Sequence, residues 1–75
     1  MEKRIKEIIA KQLVVKNEEV TPEARLIEDL DGDSLDHIEL IMELEKEFGV
    51  EISDEEADPC KTVKQVIELV EKKIQ

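Results

Sequence analysis

Aliphatic residues at the two ends of this chain recur at helical spacing, and that periodicity limits the fold more than any other feature. Ile5, Ile8, Ile9 and Leu13 lie on one stripe of residues 3–15, and the opposite side of that segment is Lys, Arg, Glu and Gln. Residues 63–74 repeat the pattern with Val63, Val66, Ile67, Val70 and Ile74. Thr62, with Gln65 three residues on, forms a capping box that marks where this helix starts. Between the two ends, the run from Asp33 to Phe48 has no Pro or Gly and stops at Gly49, a C-terminal cap. Ser53 and Glu56 open a short helix that Pro59 halts. The stretch 16–32 reads as loop, with a one-turn start at Thr21-Pro22 and Val20, Leu26, Ile27 and Leu30 as apolar anchors. Val50 to Ile52 has no partner strand and reads as a connector. The expected fold is all-α: a small four-helix bundle of three longer helices and one short one, with a long first loop.

A chain of 75 residues buries roughly 60% of its unfolded surface, enough for one small domain and too little for a deep, preformed pocket. At 43% charged residues the chain invites comparison with disordered segments, but its apolar residues are periodic rather than sparse. The net charge of −10 is unevenly placed. Residues 28–58 hold 14 acids and one base, Lys46, for a net of −13, while the first 27 residues carry +1 and the last 17 carry +2. A field of that sign repels nucleic-acid backbones and anionic membranes, so neither nucleic-acid binding nor stable membrane association is expected. No apolar run approaches a membrane span, and residues 1–15 lack the core of a signal peptide. The single cysteine, Cys60, cannot form an internal disulfide, which fits a reducing compartment.

On a helical wheel, residues 34–48 carry two apolar arcs. Leu40, Ile41, Leu44 and Phe48 share one with His37, the expected core face. Leu35, Ile38 and Met42 form the other, flanked by Asp36, Glu39 and Glu43 on one side and by Glu45 on the other. A central helix of a bundle can bury both arcs. An exposed strip rimmed by acids is how a helix presents itself to a groove, and the many carboxylates favour that reading.

Catalytic and metal constellations are not apparent. Asp29, Asp31 and Asp33 alternate as in a calcium loop, but the positions that loop reserves for Gly and Glu are Ser34 and Leu40. One His and one Cys far apart offer no zinc spacing. His37 follows Ser34 by three residues, yet it belongs to the core arc and reads as a structural histidine. Cys60 reads as a buried, inert thiol. Ser34 differs in kind. Ser34 could itself be the cap of the middle helix, but Asp33, with Asp36 three residues on as a capping-box variant, competes for that role. If Asp33 caps, Ser34 lies in the first turn, where free N–H groups and the helix dipole favour an added phosphate.

The run Glu28-Asp29-Leu30-Asp31-Gly32-Asp33-Ser34-Leu35-Asp36 resembles the prosthetic-group segment of acyl carrier proteins. The similarity extends to Val20-Thr21-Pro22-Glu23-Ala24, to residues 39–45 and 47–52, and to Thr62-Val63, so it covers essentially the whole chain. It is closest to the discrete carriers of bacterial-type fatty acid synthesis and implies a single acyl carrier domain over residues 1–75. The resemblance implies 4′-phosphopantetheine, taken from coenzyme A by a magnesium-dependent phosphopantetheinyl transferase (holo-ACP synthase) and attached to Ser34, with Asp33, Leu35 and Asp36 as flanking recognition residues. Growing acyl chains would ride on the arm as thioesters, so the carrier needs no catalytic group of its own. It further implies docking of fatty acid synthesis enzymes with basic patches onto Leu35, Asp36, Ile38, Glu39, Met42 and Glu45. Leu44, Ile52 and Cys60 become candidates for lining an acyl cavity.

The chain departs from the family pattern at Asp31, where Gly is common, at Lys46, where an acid is common, at His37, and at Asp58-Pro59-Cys60. These positions bear on partner choice and chain length rather than on attachment. The leading expectation is a monomeric, cytoplasmic carrier for fatty acid synthesis. A carrier of a polyketide or other modified-acyl pathway is the nearest alternative, and an unmodified acidic helical adaptor or cation-responsive module is the alternative of another class.

Overall fold

The computed structural model describes residues 2–30 and 32–74, the side chain of Ser34 excepted. Helix α1 spans Glu2–Leu13, α2 Ser34–Phe48, α3 Asp54–Ala57 and α4 Val63–Ile74, with no strand among the described residues. The expected all-α bundle is therefore observed, with three long helices and one single-turn helix. Helices α1 and α2 form the main packed pair, and α4 closes the bundle against α1. Ile5 and Ile9 of α1, Leu40 and Leu44 of α2, and Val63, Val66 and Val70 of α4 are fully buried where the apolar stripes meet. No polar side chain is buried among the described residues, and the lone aromatic, Phe48, packs only at the edge of the core.

Helix α1 ends at Leu13, the last residue of its stripe and two residues short of the end of the 3–15 segment that carries it. Val14 adopts a left-handed backbone (φ 55°), and the Val15 N–H reaches back to the Ala10 carbonyl at 2.9 Å. This is the Schellman closure, in which the left-handed position is ordinarily glycine. Helix α2 ends in the same way with Gly49 (φ 64°) and a 3.2 Å bond from Val50 N–H to the Glu45 carbonyl. The two ends make one backbone shape from unlike residues, and the β-branched one is strained.

The long loop is folded onto the bundle, as its anchors imply. Val20, Leu26 and Leu30 are buried, and so is Ala24. Ile27 is not an anchor: the turn through residues 26–30 points it outward, and it is 46% exposed. No helical turn starts at Thr21-Pro22. A 3₁₀ turn lies earlier, at Asn17–Glu19, and Thr21 accepts from the Ala24 N–H in a reverse turn. Backbone bonds that no side-chain pattern encodes join the loop to the start of α4. Leu26 N–H donates to the Lys61 carbonyl, Val63 N–H to Ala24 and Lys64 N–H to Pro22, all within 3.0 Å. The connector through Val50 to Ile52 is non-helical, as read.

Since Val14 is 89% exposed, Val14→Gly removes its backbone strain without uncovering the core. We expect a gain of about 1 kcal/mol and a melting temperature higher by roughly 4–8 °C. Thermal denaturation followed by far-ultraviolet circular dichroism measures it, and an unchanged or lower midpoint would contradict the strain.

Candidate functional site

The start of α2 is built by two aspartates. Asp33 Oδ1 accepts from the Asp36 N–H at 2.9 Å, while Asp36 Oδ2 accepts from the Asp33 N–H at 3.2 Å. This reciprocal box leaves Asp33 as the cap and makes Ser34 the first residue of the helix. Gly32 is wedged just upstream. A Cβ there would meet the Leu26 carbonyl oxygen at 2.9 Å and the Leu13 side chain at 3.0 Å, so a larger residue would push the approach to Ser34 out of place. Asp31 lies outside the described residues.

Helix α2 exposes the second arc. Leu35, Ile38 and Met42 are 61%, 55% and 51% exposed, while Leu40, Ile41 and Leu44 are buried on the other side. Their rim is partly engaged within the molecule. Glu39 Oε2 accepts from Gln12 Nε2 of α1 at 2.8 Å, and Glu45 Oε2 accepts from the Ile52 N–H at 2.8 Å. Each of these carboxylates keeps its other oxygen. Lys46, also exposed, follows Met42 by one turn on the same side.

A cleft of about 320 Å³ opens between the 26–28 loop segment, His37 of α2 and residues 58–61. Reading His37 as a core-facing residue missed this opening. The residue is half-buried, with Nε2 bonded to the Ala57 carbonyl at 3.2 Å. Cys60 forms part of the cleft wall; burial, aided by the Glu68 carboxylate, pushes its thiol pKa up, which suits an inert role. Leu44, Ile52 and Cys60 are all buried but do not share a single space. Ile52 borders a different hollow beside Glu45 and Glu56, and Leu44 is enclosed in the core. Gly32, Gln12 and Ile27 join the site through contacts that their residue types do not announce. A glycine immediately before the cap was the one available signal.

Residues 3–70 match the family described as the phosphopantetheine attachment site. The chain is 55% identical over 71 residues to an acyl carrier protein of Thermosynechococcus vestitus, covering 95% of this chain and 88% of that one. The chain belongs to the acyl carrier protein family. Its fold matches a solved structure of the acyl carrier protein from Enterococcus faecalis with a TM-score of 0.80 and 32% identity, over 96% of this chain and 91% of the other. Members of the family are carriers rather than catalysts, and phosphopantetheine is their prosthetic group.

The start of α2 in this acyl carrier protein suits that group. The first N–H groups of a helix lack intrahelical partners. Here that of Asp36 is taken by the Asp33 side chain and that of Asp33 by the Asp36 side chain, while the His37 N–H starts the helix ladder on the Asp33 carbonyl. By position, this leaves the Ser34 and Leu35 N–H groups at the positive end of the helix dipole, beside exposed Asp33 and Leu35. Among the described residues, no cluster of three or more His, Cys, Asp or Glu side chains is arranged for a metal ion, and no helix is long and apolar enough to cross a membrane.

Helix α3, next to the cleft, is held to α4 by Lys73 Nζ on Glu56 Oε2 at 2.6 Å. That ammonium, with the Ser53 backbone N–H, lowers the Glu56 carboxyl pKa from 4.5 to about 2. A carboxyl more acidic when folded stabilises the fold above its unfolded value and loses that contribution as protons bind. The Glu56 contribution is complete above pH 4.5 and disappears as pH falls towards about 2. Glu56→Gln should lower the melting temperature at neutral pH and flatten its decline over this interval. Equal pH dependence in the two proteins would show that the pair does not hold α3.

Proposed function

We propose that this chain carries growing acyl groups as thioesters on a 4′-phosphopantetheine arm attached to Ser34, and shuttles them between separate enzymes of fatty acid synthesis. The observation that carries the reading is the place of Ser34: first residue of α2, next to an exposed Leu35–Ile38–Met42 strip whose rim is acidic. When attached, the group supplies a terminal thiol that holds the acyl chain. The chain's own residues supply the address and the shelter.

Asp33 and Asp36 fix the helix start and present carboxylates on both sides of the serine, where a phosphopantetheinyl transferase would recognise them. Leu35, Ile38 and Met42 give partners apolar contact, and Asp36, Glu39 and Glu45 steer and orient their basic patches. Cys60 forms part of the wall of the cleft that receives the start of an acyl chain, and Leu44 and Ile52 line the space reached once the helices part. A core built from aliphatic side chains, with Phe48 only at its edge, can part without displacing large rings. In this reading residues 1–75 act as one monomeric carrier domain in the cytoplasm, where the single thiol stays reduced.

Incubation with coenzyme A, magnesium and a broad-range phosphopantetheinyl transferase should add one phosphopantetheine mass to the native protein and none to Ser34→Ala. An intact-mass spectrum without that gain, or with the same gain on Ser34→Ala, would end the carrier reading. The acyl groups found on protein taken from its own cells then assign the pathway.

For docking, Glu39→Lys and Met42→Ala should each slow turnover of the loaded carrier by a partner enzyme roughly tenfold, the effect of a side chain worth just over 1 kcal/mol at an interface. The far-ultraviolet circular dichroism spectrum should not change. Unaltered kinetics in both variants would remove the strip from the docking surface.

A further inference from the structure

Helix α3 is one turn long, and Ala57 is its one buried residue. Its box with Ser53 is local, and Lys73 holds Glu56 from the α4 side. On the α2 side, the His37 Nε2–Ala57 carbonyl contact is the one side-chain hydrogen bond that joins the two helices among the described residues. A carbonyl can only accept, so Nε2 is the protonated nitrogen, and that donor persists whether the ring is neutral or charged. The bond is not required to satisfy Ala57. The same carbonyl already accepts from the Cys60 N–H at 2.9 Å. His37 is therefore an added tie, placed where α2, α3 and the Cys60 segment meet around the cleft.

We propose that His37 is the latch of this cleft, holding α3 against α2 and limiting how far the walls part for an acyl chain. The identity of the cargo rests on the carrier reading above; the latch itself acts without cargo. At about 320 Å³ the cleft is at the small end of ligand sites, so a longer chain has to widen it. The wall formed by residues 58–61 follows directly on α3, and the His37 bond to Ala57 holds the point where it begins. The polar groups around the latch, Glu28, Asp58 and Lys61, lie on the same cleft, and none of them bonds the ring among the described contacts. His37 is thus a positioning residue that sets the reach of the cleft.

Cys60 provides the measurement, because it is the chain's one cysteine and lies buried in the cleft wall. Its rate of alkylation by iodoacetamide in the unmodified protein, under native conditions at fixed pH, reads the opening. His37→Leu keeps bulk but loses the donor and should raise that rate about fivefold, the equivalent of one ordinary hydrogen bond. His37→Gln, which restores an N–H donor, should return it close to the native value. Gly49→Ala, which destabilises α2 at its far end, should raise the rate less than His37→Leu at an equal loss of melting temperature. A native rate in His37→Leu, or an equal acceleration in Gly49→Ala, would overturn the latch. Because no arm is present in this assay, the result is independent of whether Ser34 is modified.

Discussion

Two carboxylates holding each other's backbone N–H groups fix where helix α2 begins, and the geometry of the site follows from that reciprocal bond. If Asp33 did not cap, Ser34 would become the cap and its hydroxyl would be drawn to the helix backbone. With Asp33 in that role and Asp36 answering it, the serine becomes the first helical residue. The register of α2 is then set, and Leu35, Ile38 and Met42 come out exposed while Leu40 and Leu44 go in. The same aspartates serve the fold and the candidate address, so those two demands cannot be varied independently.

Much of this was legible in the sequence because helices carry their own signals. The stripes at Ile5–Leu13 and Val63–Ile74, the three capping boxes and the Gly49 stop all depend on residues close together in the chain, and each is observed. What was not legible depends on distant backbone. The end of α1 at Val14 is a left-handed conformation that valine disfavours, so no local propensity marks it. The bonds from the loop to α4 use amides that no side-chain pattern marks. Ile27 is apolar like its neighbours, yet a turn closed by Asp29 and Leu30 N–H groups on the Arg25 carbonyl rotates it outward.

The site was legible to a similar degree. The place of Ser34 at the start of α2 follows from local pattern. The wheel separates exposed Leu35, Ile38 and Met42 from buried Leu40, Ile41 and Leu44, while His37 and Phe48 of the core arc are only half-buried. The cleft does not follow, since its walls come from three separate segments and His37 meets Ala57 across 20 residues of chain. The cavity candidates illustrate the same difficulty. Apolar type predicted burial for Leu44, Ile52 and Cys60, and burial is observed, but type alone does not say which buried residues border a common space.

The ion pairs run in one direction along the chain. Arg4 meets Glu47, Arg25 meets Glu28 and Asp29, and Lys73 meets Glu56, so every described bridge takes a base from outside residues 28–58 to an acid within them. The Arg4 and Arg25 pairs are exposed and worth little as bonds, whereas Lys73–Glu56 is partly buried. Together they act as a dimmer on the acidic segment, deciding which carboxylates remain bare. Arg4–Glu47 is the one described bridge that ends on α2, so the voltage along that helix is adjustable from α1, by changing a residue outside the exposed strip.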